Sequence, residues 1–197
     1  MSPALLHLRT PRLLLLAPDA TPGSPQVDAV ADFYRRNAAH FAPWDPPLPA
    51  DHAAPERIAQ ALADGAEAFA TGRSLRWWLQ LADVPGRVVG QVHLSSLVRG
   101  AFQSCNLGYA LDAGCQGRGL MHEALRAIVD EAFSPRLNLH RIQAGVRPEN
   151  HRSLAVLARL GFAEIGLARA YLFIDGAWRD HRLFDLTNPS FVQQADW

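Results

Sequence analysis

The sequence predicts one α/β (α+β) domain built on a mixed sheet with helices, and three observations carry that prediction. Strand-length segments follow one another between residues 75 and 111. An amphipathic helical period takes over after Gly117, and the chain closes on two strand patterns around Asp175-Gly176, a strong hairpin signal. With 197 residues, 49% of them hydrophobic, the chain can bury a substantial core, so a single domain spanning 1–197 is the expectation.

The elements are expected in this order. Arg12 to Ala17 reads as a strand, closed by the Pro/Gly-rich piece from Pro18 to Pro25. Val27 to Ala38 and Pro55 to Ala70 read as helices, separated by Phe41 to Pro49, where closely spaced prolines forbid a continuous helix and leave Trp44 in a stiff loop. Leu75 to Leu81 alternates with Trp77, Leu79 and Leu81 on one side, and Arg87 to Leu97 and Gln103 to Leu111 supply two further strands, an antiparallel meander. Met121, Ala124, Leu125, Ile128 and Ala132 share one helical face. Leu139 to Val146 is a strand, and the next helix starts at an Asn150 cap and stops at Gly161. Ala163 to Leu186 is the closing hairpin. There is no internal repeat or low-complexity tail.

Composition removes whole classes of function. Nineteen basic residues, all Arg, balance nineteen acidic ones, so no bulk field draws the protein to nucleic acid or membrane. The lack of Lys excludes Schiff-base chemistry and a phosphate-loop lysine. Cys105 and Cys115 have neither disulfide-framework nor zinc spacing, and the four-leucine run Leu13 to Leu16 is far short of a signal core or membrane span, so a cytoplasmic protein is expected. Both cysteines suit small buried positions better than nucleophilic ones, and a covalent acyl-enzyme is not expected.

Gln116-Gly117-Arg118-Gly119-Leu120-Met121 lies between a strand and a helix start. Such a turn presents free backbone N–H groups and the positive end of the helix dipole to a pyrophosphate. Dinucleotide binding fits less well, because the third glycine of that fingerprint would fall at His122 and no acid lies near Leu137. Glycines serving only a tight turn remain an alternative. The second informative stretch runs from Asn150 through Ser153 to Leu160-Gly161-Phe162.

Together the two stretches resemble the signature motifs of the GNAT acetyltransferases, a Q-x-x-G-x-G/A loop and an N-x-x-S...L-G-F helix. Thr10-Pro11-Arg12-Leu13, Val98-Arg99-Gly100, Leu107-Gly108-Tyr109, His140-Arg141-Ile142 and the segment Ile174 to Asp180 are similar to the RimJ/RimL ribosomal-protein N-acetyltransferases, the RimJ branch above all. The likeness is dense from Val98 to Leu186 and thin before Leu75. It implies a GNAT fold: a mixed, mostly antiparallel central sheet flanked by helices, in which Leu107 to Leu111 splays from the next parallel strand and opens a cofactor cleft. It implies acetyl-CoA as cosubstrate, no metal, and an amine acceptor. By this resemblance Tyr109, Ala110 and Leu111 offer backbone groups to the pantetheine and acetyl carbonyl, Gln116, Gly117, Arg118, Gly119, Leu120 and Met121 hold the pyrophosphate, and Asn150 touches the pantetheine arm. Met121 departs from the family's Gly or Ala.

The thiolate-protonating tyrosine of many relatives corresponds to Leu157, which leaves Ser153 as candidate proton donor; an ordinary polar residue of the helix's first turn is the alternative. Relatives carry acids where this chain has Asn106, Ile165 and Ala170, leaving Glu164, a water relay or Asp175 as candidate bases. An α-amine has a pKa of about 7.7–8.0, so roughly a tenth is neutral at pH 7, and the absence of an obvious base favours N-terminal amines over lysine side chains. Trp44, Asn106 and Tyr171 are candidate acceptor-binding residues; Phe33, Trp78 and Trp178 could grip a peptide, but core packing is expected for most of these aromatics, Trp44 excepted. His122-Glu123 lacks the second histidine of a zinc-protease motif, since Arg126 stands there. The acceptor is expected to be a protein N-terminus, a ribosomal protein included. A small amine or antibiotic, or a non-catalytic acyl-CoA-binding role in ribosome assembly, are the competing readings.

Overall fold

The computed structural model describes residues 7–193. Eight strands form one sheet in the order β1-β2-β3-β4-β5-β6-β8-β7. In the chain these are β1 (Leu8–Arg9), β2 (Leu13–Leu16), β3 (Leu75–Leu81), β4 (Val84–Val98), β5 (Ser104–Leu111), β6 (Arg141–Val146), β7 (Ala163–Ile174) and β8 (Ala177–Thr187). Helices α1 (Pro25–Phe41) and α2 (Pro55–Ala70) precede β3, α3 (Leu120–Phe133) links β5 to β6, and α4 (His151–Arg159) links β6 to β7. Every pairing is antiparallel except β5 with β6. The expected mixed, mostly antiparallel sheet is therefore present, with β1 as a strand the sequence reading did not include.

Local chemistry explains most boundaries. Ser24 caps α1 by accepting from the Gln26 N–H, with Pro25 at the first helical turn where a missing N–H costs nothing. Asn150 caps α4 through Oδ1, which accepts from Ser153 N–H at 3.1 Å, and Gly161 ends it at φ +84°. Asp175 and Gly176 both have positive φ, as a tight turn between right-twisted strands requires.

Burial on β3 departs from simple alternation. Leu75, Trp77 and Leu79 enter a core under α3 and α4, while Trp78 enters a second core with Val30, Phe33 and Leu62 of α1 and α2. The strand is covered on both faces, so its sequence reads as nearly continuous apolar residues. Phe33 and Trp78 are core residues as expected, whereas Tyr171 and Trp178 are exposed on β7 and β8, not packed inside. Phe69 meets Trp77 edge-on at 5.2 Å; truncating a buried ring of this kind costs about 3–5 kcal/mol.

The pairing between β5 and β6 positions the site. Only Ser104, Cys105 and Asn106 pair with β6, through Arg141, Ile142 and Gln143. Beyond Asn106, β5 stays with β4 as far as Leu111, and β6 stays with β8 as far as Val146. The two strands part, and the expected splay of Leu107 to Leu111 is the result.

Candidate active site

The parted strands open into a cavity of about 620 Å³ whose walls come from the α1–α2 connection, the end of β5, the glycine loop and α4. A second cavity of about 630 Å³ lies between α1, α2, β3 and β4, lined by Tyr34, Arg76, Trp78 and His93 among others. Only the first combines a helix N-terminus with paired hydroxyl groups, and it is the candidate site on chemical grounds.

At one end of the cleft the loop delivers backbone donors. Gly117 and Gly119 have φ of +74° and +73°, a region where a Cβ is strained, and Gly119 is the N-cap of α3 with no side chain capping it. The Glu123 N–H is bonded to the Gly119 carbonyl at 3.1 Å, so the N–H groups before it lack helical partners. Met121 does not obstruct this end: its side chain is 6% exposed and packs in the core with Leu120, Ala124 and Leu125. An anion with several oxygens suits this positive helix end.

The loop is braced from three sides. Glu123 accepts from Thr10 Oγ1 (2.6 Å), Arg12 N–H (2.9 Å) and Arg12 Nε (2.6 Å), while Arg12 Nη1 donates to the Arg118 carbonyl at 2.9 Å. Burial pushes the Glu123 carboxyl up, but these bonds outweigh it and hold it below the usual range. Asp112, buried before the loop, receives Arg36 Nε at 2.6 Å and Gly114 N–H at 2.9 Å; again burial is outweighed and the carboxyl is held low. Gln116 bridges α1 to α4, touching His40 Nε2 at 2.9 Å and accepting from Arg152 Nη1 at 2.7 Å.

At the wedge itself, Tyr109 Oη and Ser153 Oγ are 2.5 Å apart. Burial raises the Tyr109 phenol to about 12, with the Ser153 hydrogen bond opposing the rise, so both groups carry protons at neutral pH. This pairing was invisible in the sequence reading, which gave Tyr109 only a backbone role; the partners stand 44 residues apart and no local spacing marks them.

The other sequence candidates divide. Trp44, Tyr109, Ala110, Leu111, Gln116, Gly117, Gly119, Leu120, Met121, Asn150 and Ser153 line the cleft. Arg118, Asn106, Tyr171 and Glu164 are not among the lining residues. Arg118 and Asn106 are exposed. Tyr171 is 44% exposed and lies 5.4 Å from His181, ring to ring. Glu164 is exposed and bound by Arg182 at 2.5 and 2.9 Å, an ion pair that lowers its carboxyl and weakens it as a base. Simple alternation also fails beside it, because a bulge at Ile165 shifts the register between Glu164 and Gly166. Asp175 is likewise engaged, by Arg179 at 3.1 Å. Burial pushes the Cys105 thiol up to about 12 and raises Cys115 as well, so neither is a ready nucleophile. Among the described residues no cluster of three or more His, Cys, Asp or Glu is arranged to hold a metal, and no helix is long and apolar enough to cross a membrane.

Comparison with known proteins agrees with this architecture. The acetyltransferase (GNAT) domain family matches residues 12–163. The [ribosomal protein uS5]-alanine N-acetyltransferase of Escherichia coli is 38% identical over 163 residues, 83% of each chain. The structure of the ribosomal-protein-S5-alanine acetyltransferase from Vibrio fischeri is similar with a TM-score of 0.89 and 30% identity, over 95% of this chain and 100% of that one. Mycobacterium smegmatis RimJ, solved in complex with CoA-disulfide, is similar with a TM-score of 0.81 and 32% identity, over 97% and 90% of the two chains. The chain belongs to the GNAT acetyltransferase family, with RimJ-type N-acetyltransferases as relatives along most of its length.

Proposed function

We propose that the protein transfers the acetyl group of acetyl-CoA to the α-amine of a protein N-terminus, a ribosomal protein being the acceptor that its similarity to the uS5-alanine enzymes suggests. The observation that carries this reading is the Tyr109–Ser153 hydroxyl pair at the wedge, beside a helix end rich in free N–H groups. Acetyl-CoA supplies a thioester whose carbonyl carbon accepts an amine and whose sulfur departs as thiolate.

The residues have distinct tasks. The loop from Gln116 to Met121, Arg118 included, would hold the pyrophosphate through its backbone N–H groups. The Asn150 Oδ1 is occupied in capping α4, which leaves its amide nitrogen for the pantetheine arm. Tyr109, Ala110 and Leu111 lie on the part of β5 that has left β6, where backbone groups unpaired on that side can meet the pantetheine and the acetyl carbonyl. When Tyr109 donates to Ser153 Oγ, the serine keeps its own hydrogen to give to the departing sulfur. Trp44 lines the cleft with its ring 5.5 Å from the Arg147 guanidinium, and it would form one wall for a peptide terminus. Asn106 and Tyr171, exposed beyond the cleft, would meet a peptide further along its length.

The direct test is thiol release from acetyl-CoA over a panel of N-terminal peptides, amino sugars and polyamines, with intact-mass readout. Acetylation of peptide α-amines is the expected result. Turnover confined to small amines would move the acceptor class, and CoA binding with no release over the whole panel would replace the catalytic reading with a binding role.

A further inference from the structure

Two carboxylates line the cleft, Asp45 and Glu149, and their surroundings differ. Glu149 is exposed and paired with Arg147 at 3.3 Å. Asp45 is half-buried, and its carboxylate makes no hydrogen bond or ion pair among the described residues. Its backbone, by contrast, is firmly held. The Trp44 and Asp45 N–H groups both donate to the Phe41 carbonyl, at 2.8 and 3.0 Å, extending the last turn of α1. Arg147 Nη1 donates to the Pro43 carbonyl at 2.5 Å while its guanidinium covers Trp44, and Pro46 and Pro47 stiffen the chain beyond. A bare carboxylate on a fixed backbone, in the wall of a cleft, is a costly feature unless a cation completes it.

Resting on the acetyl-transfer reading above, we propose that Asp45 receives the acceptor's ammonium group and takes its proton. The Asp45 carboxylate binds R–NH3+ and removes one proton, leaving R–NH2. The nitrogen then bonds to the acetyl carbon and the C–S bond breaks. The second N–H proton leaves to solvent, from which the Tyr109–Ser153 pair recovers the proton that it gives the thiolate. Asp45 then gives its proton to solvent and is ionised again; net, the acceptor loses two protons, the thiol gains one, and one is released.

The electrostatic setting favours this assignment. Burial raises Asp45 to about 6, so it is mainly ionised at pH 7 and mainly neutral below 6. From α1, Tyr34 feels the Asp45 charge as a rise in its own pKa, second to burial and to the opposing pull of Arg76. His40 of α1 is engaged by Gln116. Behind the wall Arg147 is spent on Pro43, Trp44 and Glu149, and in the cleft Arg152 is spent on Gln116. His122, His151 and Arg159 also line the cleft, on α3 and α4. None of these groups forms an ion pair with Asp45.

Asp45→Asn tests the proposal through its pH profile. With an N-terminal peptide as acceptor, kcat/KM of the unaltered protein should rise through about pH 6 and level by pH 7. The variant should follow only the amine, rising through about 7.7–8.0, so that it is about tenfold slower at pH 7 and nearly equal at pH 9. Asp45→Glu should recover part of the loss, and CoA affinity within about twofold of the parent shows that the cleft has formed. A loss of equal size at every pH, or none at pH 7, overturns the assignment. Calorimetry on the CoA-bound protein separates this from failure of the acetyl-transfer reading: a free-amine peptide should bind several-fold more weakly to Asp45→Asn, and its N-acetylated form equally to both. Equal binding of the free-amine peptide to both proteins rejects Asp45 even where no thiol is released, whereas absent turnover with a binding difference rejects only the transfer reaction.

Discussion

The floor of the cleft and its outer wall are built on different principles. The floor, from β5 through the glycine loop to α4, offers mainly backbone groups and one hydroxyl pair, and its parts lie within residues 104–159. The wall, the connection between α1 and α2, offers side chains, Trp44 and Asp45, brought to the site by contacts such as Arg147 with Pro43, 104 residues apart. A shared cosubstrate can be held by backbone donors that tolerate many side chains, while an acceptor must be read by particular side chains. The floor holds the two stretches whose motifs resemble the family's, while the family match over residues 12–163 runs through the wall as well.

The largest effect should come from breaking the floor's chemistry. Ser153→Ala and Tyr109→Phe are expected to lower kcat by about 10²-fold or more, with CoA affinity nearly unchanged, because a proton donor acts as the thiolate forms. Single-turnover kinetics with calorimetric CoA binding would check this, and equal losses in binding and turnover would reduce the pair to a structural bond. Next is Gly119→Val, which places a β-branched residue at φ +73° and should weaken CoA by about tenfold or more while sparing the peptide's KM. Arg12→Ala should have a smaller effect of the same kind, a few-fold in CoA affinity, since it removes the brace on the Arg118 carbonyl and not a phosphate contact. Trp44→Ala should act on the opposite side of the comparison, raising KM for peptides several-fold and leaving CoA affinity nearly intact. Smallest is Glu164→Gln: with its charge already engaged by Arg182, turnover should stay within about twofold, and a large loss would return it to the proton path.

What the sequence disclosed follows the same division. The Asn150 cap, the Gly161 stop, the Asp175-Gly176 turn and the buried face of α3 are local signals, set by residues a few positions apart, and all stand where their chemistry requires. Met121, where the sequence departs from the family's Gly or Ala, falls on the core face with Leu125 and Ile128, as helical geometry requires. Long-range pairings left no such trace. Tyr109 with Ser153, Glu123 with Arg12, and Gln116 between His40 and Arg152 each join distant segments, and any one partner reads as an ordinary polar residue. Bulges defeat alternation for a related reason. Three residues of β7, Arg169 to Tyr171, face the single Asp180 of β8, and Ala170 takes φ +47° with its N–H bonded to the Asp180 carboxylate at 2.8 Å. Asp45 likewise has no local signature: between Trp44 and Pro46-Pro47 an acid reads as an ordinary loop residue.

The most direct measurement is a crystal structure with CoA bound. The expected result is the pyrophosphate at the N–H groups of Gly117 to Met121 and the thiol within hydrogen-bonding reach of the Tyr109–Ser153 pair, facing the wall that carries Asp45. CoA seated in the second cavity, between α1, α2, β3 and β4, or a thiol directed away from the pair, would contradict it.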